Sequence, residues 1–232
     1  MSKKLSKNRK KVLEKIEVGR LYSIDEAVKL VKDVSTTKFD ASVDIDVRLG
    51  VDPRKANQMV RGTITLPHGT GKEKRVLVFC TPDKEEEAKA AGAEYFGLDE
   101  YMKKISDGWL DFDAVVATPQ IMPKIGKIAR ILGPRGLMPN PKSGTVTNDI
   151  AQTVQEIKKG KISFKVDKYG ILHVPMGRVS FTPEKLNDNI SDFLVLVNKM
   201  KPASSKGTYI KSIFLSSTMS PSIPVDPKSI KR

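Results

Sequence analysis

The hydrophobic period of this sequence changes twice along the chain, and that leaves few folds open to it. Val43, Ile45, Val47, Leu49 and Val51 alternate with Asp44, Asp46 and Arg48, the pattern of a strand with one face buried and the other in water. The alternation then gives way to short apolar runs over 75–80 and 113–117, as in strands buried on both faces. After Gly160 it returns with Ile162, Phe164 and Val166.

Helical signals fill the intervals. Ser23 and Glu26 have capping-box spacing, with Ile24, Ala27, Val28 and Val31 following at helical intervals. Between the two apolar runs lie a charged helix over 83–91, a short strand over 93–96 and a helix over 99–106. Further helices are expected over 122–131 and 148–158. This β-α-β-α-β-α order describes a small parallel α/β unit. The flanking segments predict a strand over 60–66 and a hairpin in which 171–174 pairs back on 162–166 through a turn at 167–170. A helix starts at Thr182-Pro183 and reaches about Met200; a last strand covers 208–216, and the Pro- and Ser-rich tail from Pro221 is expected to be loose. Residues 2–20 read as a frayed start and a short helix.

The expected architecture is an α+β terminal domain, split between the chain ends and built on an antiparallel sheet with helices. It carries an inserted α/β domain, Rossmann-like and three-layered. The expected boundaries are 1–67 with 159–232 for the split domain and 68–158 for the insertion. Pro67-His68-Gly69-Thr70-Gly71 and Lys159-Gly160 would form the two crossings, short and glycine-bearing as a hinge requires.

Charge divides along the same line. The chain has 41 Lys and Arg, 27 Asp and Glu, and a net charge of +14. Residues 68–158 hold 13 of each sign, which leaves 28 cations and 14 acids in the two terminal segments. A basic excess of this size suits a polyanion. The longest apolar runs are too short to span a bilayer, no amphipathic basic helix with aromatic anchors is evident, and no secretory signal is expected; no membrane partner is therefore expected. The single cysteine, Cys80, excludes an intramolecular disulfide and a cysteine-based zinc cluster. Cytoplasmic localisation is expected.

Catalytic patterns are missing. Gly69-Thr70-Gly71-Lys72 lacks the first glycine and the final hydroxyl of a phosphate-binding P-loop. Thr81-Pro82-Asp83 is not a dinucleotide turn. His68 and His173 have no metal-ligand spacing. No nucleophile–base pair stands out, so no catalytic residue, metal or cofactor is expected. Cys80 reads as a core thiol, Trp109 and Phe112 as packing anchors, and Glu85-Glu86-Glu87 as a solvated helix face. Residues 133–144 contain three glycines and three prolines, which rules out regular helix or strand. With Lys124, Lys127, Arg130, Arg135 and Lys142 and no acid between Asp113 and Asp149, this loop supports an alternative reading: an α/β enzyme holding a phosphorylated small molecule there.

Nucleic-acid binding is the stronger reading. Lys38 beside Phe39 sets a cation and a stacking ring at the start of a strand. Lys165, Lys168 and Arg178 flank the second sheet segment, and Thr218, Met219 and Ser220 follow the last strand. Two readings stand for each of these: core packing or RNA contact for Phe39 and Met219, solvated charge or phosphate contact for the lysines. His173 is open between a structural role and base stacking. RNA is preferred to DNA because no helix-turn-helix, zinc-finger or basic-zipper pattern occurs.

Several blocks together resemble a known family. They are Leu49-Gly50-Val51-Asp52-Pro53-Arg54-Lys55, Val60-Arg61-Gly62-Thr63, Leu66-Pro67-His68-Gly69-Thr70-Gly71-Lys72, Gly108-Trp109-Leu110-Asp111-Phe112-Asp113, and residues 131–142. In this order, over nearly the whole chain, they resemble the bacterial large-subunit ribosomal protein L-one family, whose members sit on the mobile stalk beside the exit site. The resemblance implies a split domain that binds 23S rRNA, movement with the stalk during release of deacylated exit-site tRNA, and repression of the protein's own operon mRNA in many bacterial members. By position it implies RNA contacts at Lys38, Phe39, Ser42, Asp44, Lys165, Lys168, Gly170, His173, Thr218 and Met219. Arg135 and Lys142 are candidates for a secondary RNA contact. The family commonly has glycine after Thr-Met; here Ser220 stands, and its Cβ is expected to hinder close backbone approach to RNA. Met59 replaces a usual polar residue and is expected to affect packing alone.

Overall fold

The computed structural model describes residues 6–17 and 19–229; the expected frayed start, over 1–5, lies outside the described residues. Along the chain run α1 (Lys7–Leu13), α2 (Ile24–Val34), β1 (Ser42–Leu49), β2 (Arg61–Thr65), β3 (Val76–Phe79), α3 (Glu85–Ala90), β4 (Tyr95–Phe96), α4 (Asp99–Ser106), β5 (Ala114–Ala117), α5 (Met122–Ile125), α6 (Ala129–Leu132), α7 (Ile150–Lys158), β6 (Lys161–Lys165), β7 (Ile171–Arg178), α8 (Pro183–Lys199), β8 (Ile210–Ser217) and β9 (Ile223–Val225). Contacts divide them into two units, Met1–Gly71 with Phe164–Arg232, and Lys72–Ser163.

These divisions fall four to five residues beyond the expected boundaries at 67/68 and 158/159, for identifiable reasons. The side chain of Asn189, fully buried on α8, accepts the His68 N–H at 3.1 Å and donates to the carbonyls of Gly69 at 3.0 Å and Met176 at 2.8 Å. Residues 68 and 69 are thereby tied to the first unit. At the other crossing, Phe164 meets Phe193 of α8 edge to face at 5.3 Å between ring centres.

The first unit is a four-stranded antiparallel sheet, ordered β7-β1-β8-β9, with α2 and α8 packed on one face. The alternation in β1 holds residue by residue: Val43, Ile45, Val47 and Leu49 are buried, and Ser42, Asp44, Asp46 and Arg48 are not. Both helix starts follow their capping residues. Ser23 and Glu26 bond reciprocally at 3.3 and 3.2 Å, and the Thr182 hydroxyl accepts the Lys185 N–H at 3.5 Å with Pro183 in the first turn.

Two expectations are corrected here. Strand β7 lies beside β1, and β6 pairs with β2 in a separate two-stranded sheet, so the expected pairing of 171–174 with 162–166 is not made. Leu172, Val174 and Met176 of β7 share the buried side of β1; alignment with that longer strand buries all three against the helices. The tail also orders. Ile223 and Val225 are buried and pair with Leu215 and Ile213, and Pro224, which has no N–H to leave unpaired on an edge strand, accepts the Tyr22 N–H at 3.1 Å.

The second unit holds the parallel sheet β4-β3-β5. Side chains of β3 feed two cores. Leu77 and Phe79 pack with Ile105, Ile125 and Leu132 of α4, α5 and α6; Val76, Val78 and Cys80 pack with Ala88 of α3 and Val154 and Ile157 of α7. The result is three layers. Cys80 is fully buried, and burial pushes its thiol pKa up. Trp109 meets Tyr95 edge to face at 4.9 Å. The single helix expected over 122–131 is two short ones, parted by a 3-10 turn that begins at Gly126.

Candidate nucleic-acid interface

With α2 and α8 covering one face of the four-stranded sheet, the other face stays open. Antiparallel register sets its side chains in rows. Asp44 lies between Pro175 and Ser216, Asp46 between His173 and Phe214, and Arg48 between Ile171 and Ser212. Along β1, Ser42 and Arg48 lie six positions apart, about 20 Å at strand rise.

One end of this face gathers Lys38, Phe39, Ser42, Thr218 and Met219. Ser42 and Thr218 are fastened by two bonds, Thr218 N–H to Ser42 carbonyl at 3.1 Å and Ser42 N–H to Thr218 hydroxyl at 3.3 Å. Arg178 donates to the Asp40 carbonyl at 3.1 Å and the Ser42 hydroxyl at 3.3 Å, while the Asp40 carboxylate accepts from the Ser180 N–H and hydroxyl at 3.0 and 2.8 Å. These bonds hold the segment before β1 so that Phe39 projects, 59% exposed. Met219 is 82% exposed and carries the one positive φ outside glycine among the described residues, 69°. A core role for either is thus excluded.

Ser220 closes the turn that presents Met219. Its hydroxyl accepts the Ser217 N–H at 2.8 Å and donates to the Pro221 carbonyl at 3.1 Å, and its own N–H reaches the Ser217 carbonyl at 2.9 Å. A glycine at this position would make only the last of these bonds. Met59, expected to matter for packing, is 45% exposed instead.

The opposite end is the turn before β7. The Asp167 carboxylate accepts the N–H groups of Tyr169 at 2.9 Å and Ile171 at 2.7 Å. Burial alone would raise its pKa, but these donors, with His173, outweigh that and hold it below the usual carboxylate value. Gly170, at φ 82°, takes a conformation that strains other residues, and a Cβ there would crowd the carbonyl oxygens of Leu49 and Val51, both at 3.3 Å; its role here is to let the turn close on β1. Tyr169 is 70% exposed, with the Lys168 ammonium 5.1 Å from its ring centre. Lys165 is exposed at the end of β6, outside the four-stranded sheet.

Between the ends, the His173 ring sits against Asp46 at 2.5 Å, with Asp167 3.7 Å from its other nitrogen. The Asp44 carboxyl is pushed above its ordinary pKa, first by burial and then by Asp46, with Arg178 pulling the other way. Sequence reasoning did not single out Asp40, Asp46, Tyr169 or Phe214. Tyr169 had a signal, since Lys168-Tyr169 repeats the Lys38-Phe39 pattern, and Asp46 lies one alternation after Asp44. Phe214 had none, because only the register sets it beside Asp46.

Arg135 and Lys142 are exposed in the second unit, so they are not part of this sheet. Their loop is organised on itself: Lys142 N–H bonds Asn140 Oδ1 at 2.8 Å, Asn140 N–H bonds the Thr145 hydroxyl at 2.8 Å, and the N–H groups of Gly136, Leu137, Ser143, Gly144 and Thr145 reach carbonyls of residues 132–141. Most of the backbone donors that would cradle a phosphate are thus engaged. A crevice of this unit, about 690 Å³, opens at the carboxyl ends of its strands, where Glu85, Asp99 and Glu100 face the one lining cation, Lys124, an environment unsuited to an anion. With the division at 71/72 and 163/164, Lys159 and Lys161 join the second unit, and the net charges become +12 and +2. Among the described residues no group of three or more His, Cys, Asp or Glu could hold a metal, and no helix is long and apolar enough to cross a membrane.

A family model described as ribosomal protein L1p/L10e family matches residues 31–221. The chain belongs to the ribosomal protein L1p/L10e family. Within it, the chain is 64% identical over 227 residues to the protein of Bacteroides thetaiotaomicron described as large ribosomal subunit protein uL1, covering 98% of both. It is 63% identical over 227 residues to the uL1 of Porphyromonas gingivalis, again covering 98% of both. Membership of the L1p/L10e family makes this a ribosomal protein, not an enzyme.

Proposed function

We propose that this L1p/L10e chain is a constituent of the large ribosomal subunit, in the cytoplasm, and binds 23S rRNA through the open face of its split unit. The observation that carries this reading is an exposed ring with an adjacent lysine at each end of the open four-stranded sheet, Phe39 next to Lys38 in sequence and Tyr169 with the Lys168 ammonium 5.1 Å from its ring centre. Lysines hold backbone phosphates, the rings offer stacking surfaces to unpaired bases, and between them Ser42, Asp44, Asp46 and Thr218 accept hydrogen bonds from base amino groups and ribose 2′-hydroxyls. Carboxylates in the middle repel phosphate, so the backbone is directed to the ends. Met219, held outward, is an apolar contact for a ribose or base face.

On the mobile stalk, the same chain would move with its RNA and assist release of deacylated tRNA from the exit site; Arg135 and Lys142 supply a secondary contact there. A similar RNA shape in its own operon mRNA would make it a translational repressor. Binding to 23S rRNA should weaken steeply with salt, because each neutralised phosphate releases counterions. Phe39→Ala should lose ~1–3 kcal/mol of binding, the worth of one stacked base, with the fold intact. Wild-type affinity in Phe39→Ala and Met219→Ala alike would refute the placement. Crosslinking to total cellular RNA should recover 23S rRNA, exit-site tRNA and the operon mRNA; absence of the last two would remove those roles alone.

A further inference from the structure

Helix α1 carries Lys7, Arg9, Lys10 and Lys11, all exposed, and Val12 is its one buried residue. Lys7, Lys10 and Lys11 stand at i, i+3 and i+4, so they share one side of the helix, and Val12 points the other way. Among the described residues, none of these four cations forms an ion pair or a side-chain hydrogen bond. Some cations elsewhere are paired with acids: Lys104 meets Glu100 at 2.5 Å, Lys158 meets Glu94 at 2.7 Å, Lys161 meets Glu156 at 2.7 Å, and Arg75 meets Asp111 at 3.1 Å. The first turn of α1 has no acidic residue, so Lys7 and Arg9 oppose the helix dipole, whereas Lys10 and Lys11 lie in the last turn, where it favours them; Lys7, Lys10 and Lys11 repel one another across a single turn. The mutual repulsion of the three lysines on one side gives folding little from this placement, whereas a polyanion lying along that side would be attracted by all three.

The position of α1 separates this stripe from the open sheet face. The Lys15 ammonium of the following turn donates to the Asp33 carbonyl at 3.4 Å, near the end of α2, and α2 covers the closed face of the sheet through Ala27, Val28, Val31 and Val34. We infer that α1 is a second RNA-phosphate-binding surface on the helical side of the split unit, engaging a segment of RNA other than the one on the open face. This rests on the reading of that unit as an rRNA binder. Contacts of this kind add affinity without sequence preference. A bilayer fits less well, because the helix offers only Leu13 as an exposed apolar side chain of any size and interfacial anchoring needs an apolar face.

The test compares the full chain with the triple variant Lys7→Gln, Lys10→Gln, Lys11→Gln, titrated with purified 23S rRNA at several salt concentrations. Loss of three phosphate contacts should make the slope of log affinity against log salt shallower by roughly 2 to 3. The triple lysine-to-arginine variant should keep the wild-type slope, and circular dichroism should show all three chains equally folded. An unchanged slope in the glutamine variant overturns the inference and leaves the open-face reading standing. Wild-type protein that fails to bind 23S rRNA overturns both. Binding to phosphatidylglycerol vesicles that is lost in the glutamine variant, with the RNA slope unchanged, would assign the stripe to a membrane surface instead.

Discussion

The Ser220 hydroxyl accepts the Ser217 N–H at 2.8 Å and so locks the turn in which Met219 stands at a φ of 69°. A left-handed conformation is unfavourable for a side chain with a Cβ, and the bond helps to hold it. Ser220→Ala leaves the Ser217 N–H unpaired and should cost about 1 kcal/mol of stability, measured by urea unfolding. Its affinity for 23S rRNA should fall several-fold as Met219 loses its fixed place. Unchanged stability and affinity would show that the turn holds itself.

Asn189 has no substitute partner for the three backbone groups it satisfies at His68, Gly69 and Met176. Asn189→Ala should destabilise by about 3 kcal/mol, since buried polar groups left unpaired are costly. Hydrogen exchange at the His68 N–H should quicken before global unfolding does. Slow exchange there, alongside a wild-type urea midpoint, would mean that water replaces the amide.

Tyr209 is buried and its hydroxyl has no partner among the described residues. Burial pushes its pKa up to about 12 from the ordinary 10, so the folded state favours the neutral phenol. The stability tied to that preference is intact below pH 10 and disappears as pH rises through about 12. Tyr209→Phe should gain about 1 kcal/mol at neutral pH and flatten the alkaline decline. A destabilised phenylalanine variant would reveal a hidden partner for the hydroxyl.

Asp44 shifts in the same sense for a different group: burial and Asp46 raise its pKa above 3.8. Its contribution to stability is complete below pH 3.8 and is lost as pH climbs through the raised value. Asp44→Asn should therefore match wild type in acid and exceed it near neutrality, as read by thermal unfolding across pH. If the two curves run parallel throughout, the carboxylate is better solvated than its surroundings suggest.

Local chemistry was legible in advance. The Ser23–Glu26 box, the Thr182–Pro183 start and the alternation of β1 each depend on residues within a few positions of one another, and each stands in the structure as read. Partner choice was not. Residues 162–174 carry a good hairpin pattern, yet β7 joins β1, some 125 residues earlier in the chain by the Asp46–His173 register, because only there do its three apolar residues reach the helices. The tail looked loose because Ser and Pro dominate it, and Ile223 and Val225 become a strand only where β8 supplies an edge. For Phe39 and Met219 an apolar side chain reads the same in a core or on a binding surface; bonds from Asp40, Ser42 and Ser220 to distant or turn partners decide the matter.

By itself, the sequence determined the family, the segregation of positive charge into the terminal segments, the helix starts and the residue types available for RNA. Tertiary structure alone decided that Lys38-Phe39 and Lys168-Tyr169 stand at opposite ends of the four-stranded sheet, that Asp46 pairs with His173, and that several N–H groups of the loop at 133–144 bond within or beside it. The reason is the range of the forces. Propensity, capping and charge act on neighbours along the chain, whereas register and exposure follow from which strands bury their apolar faces together, a choice made between segments more than a hundred residues apart.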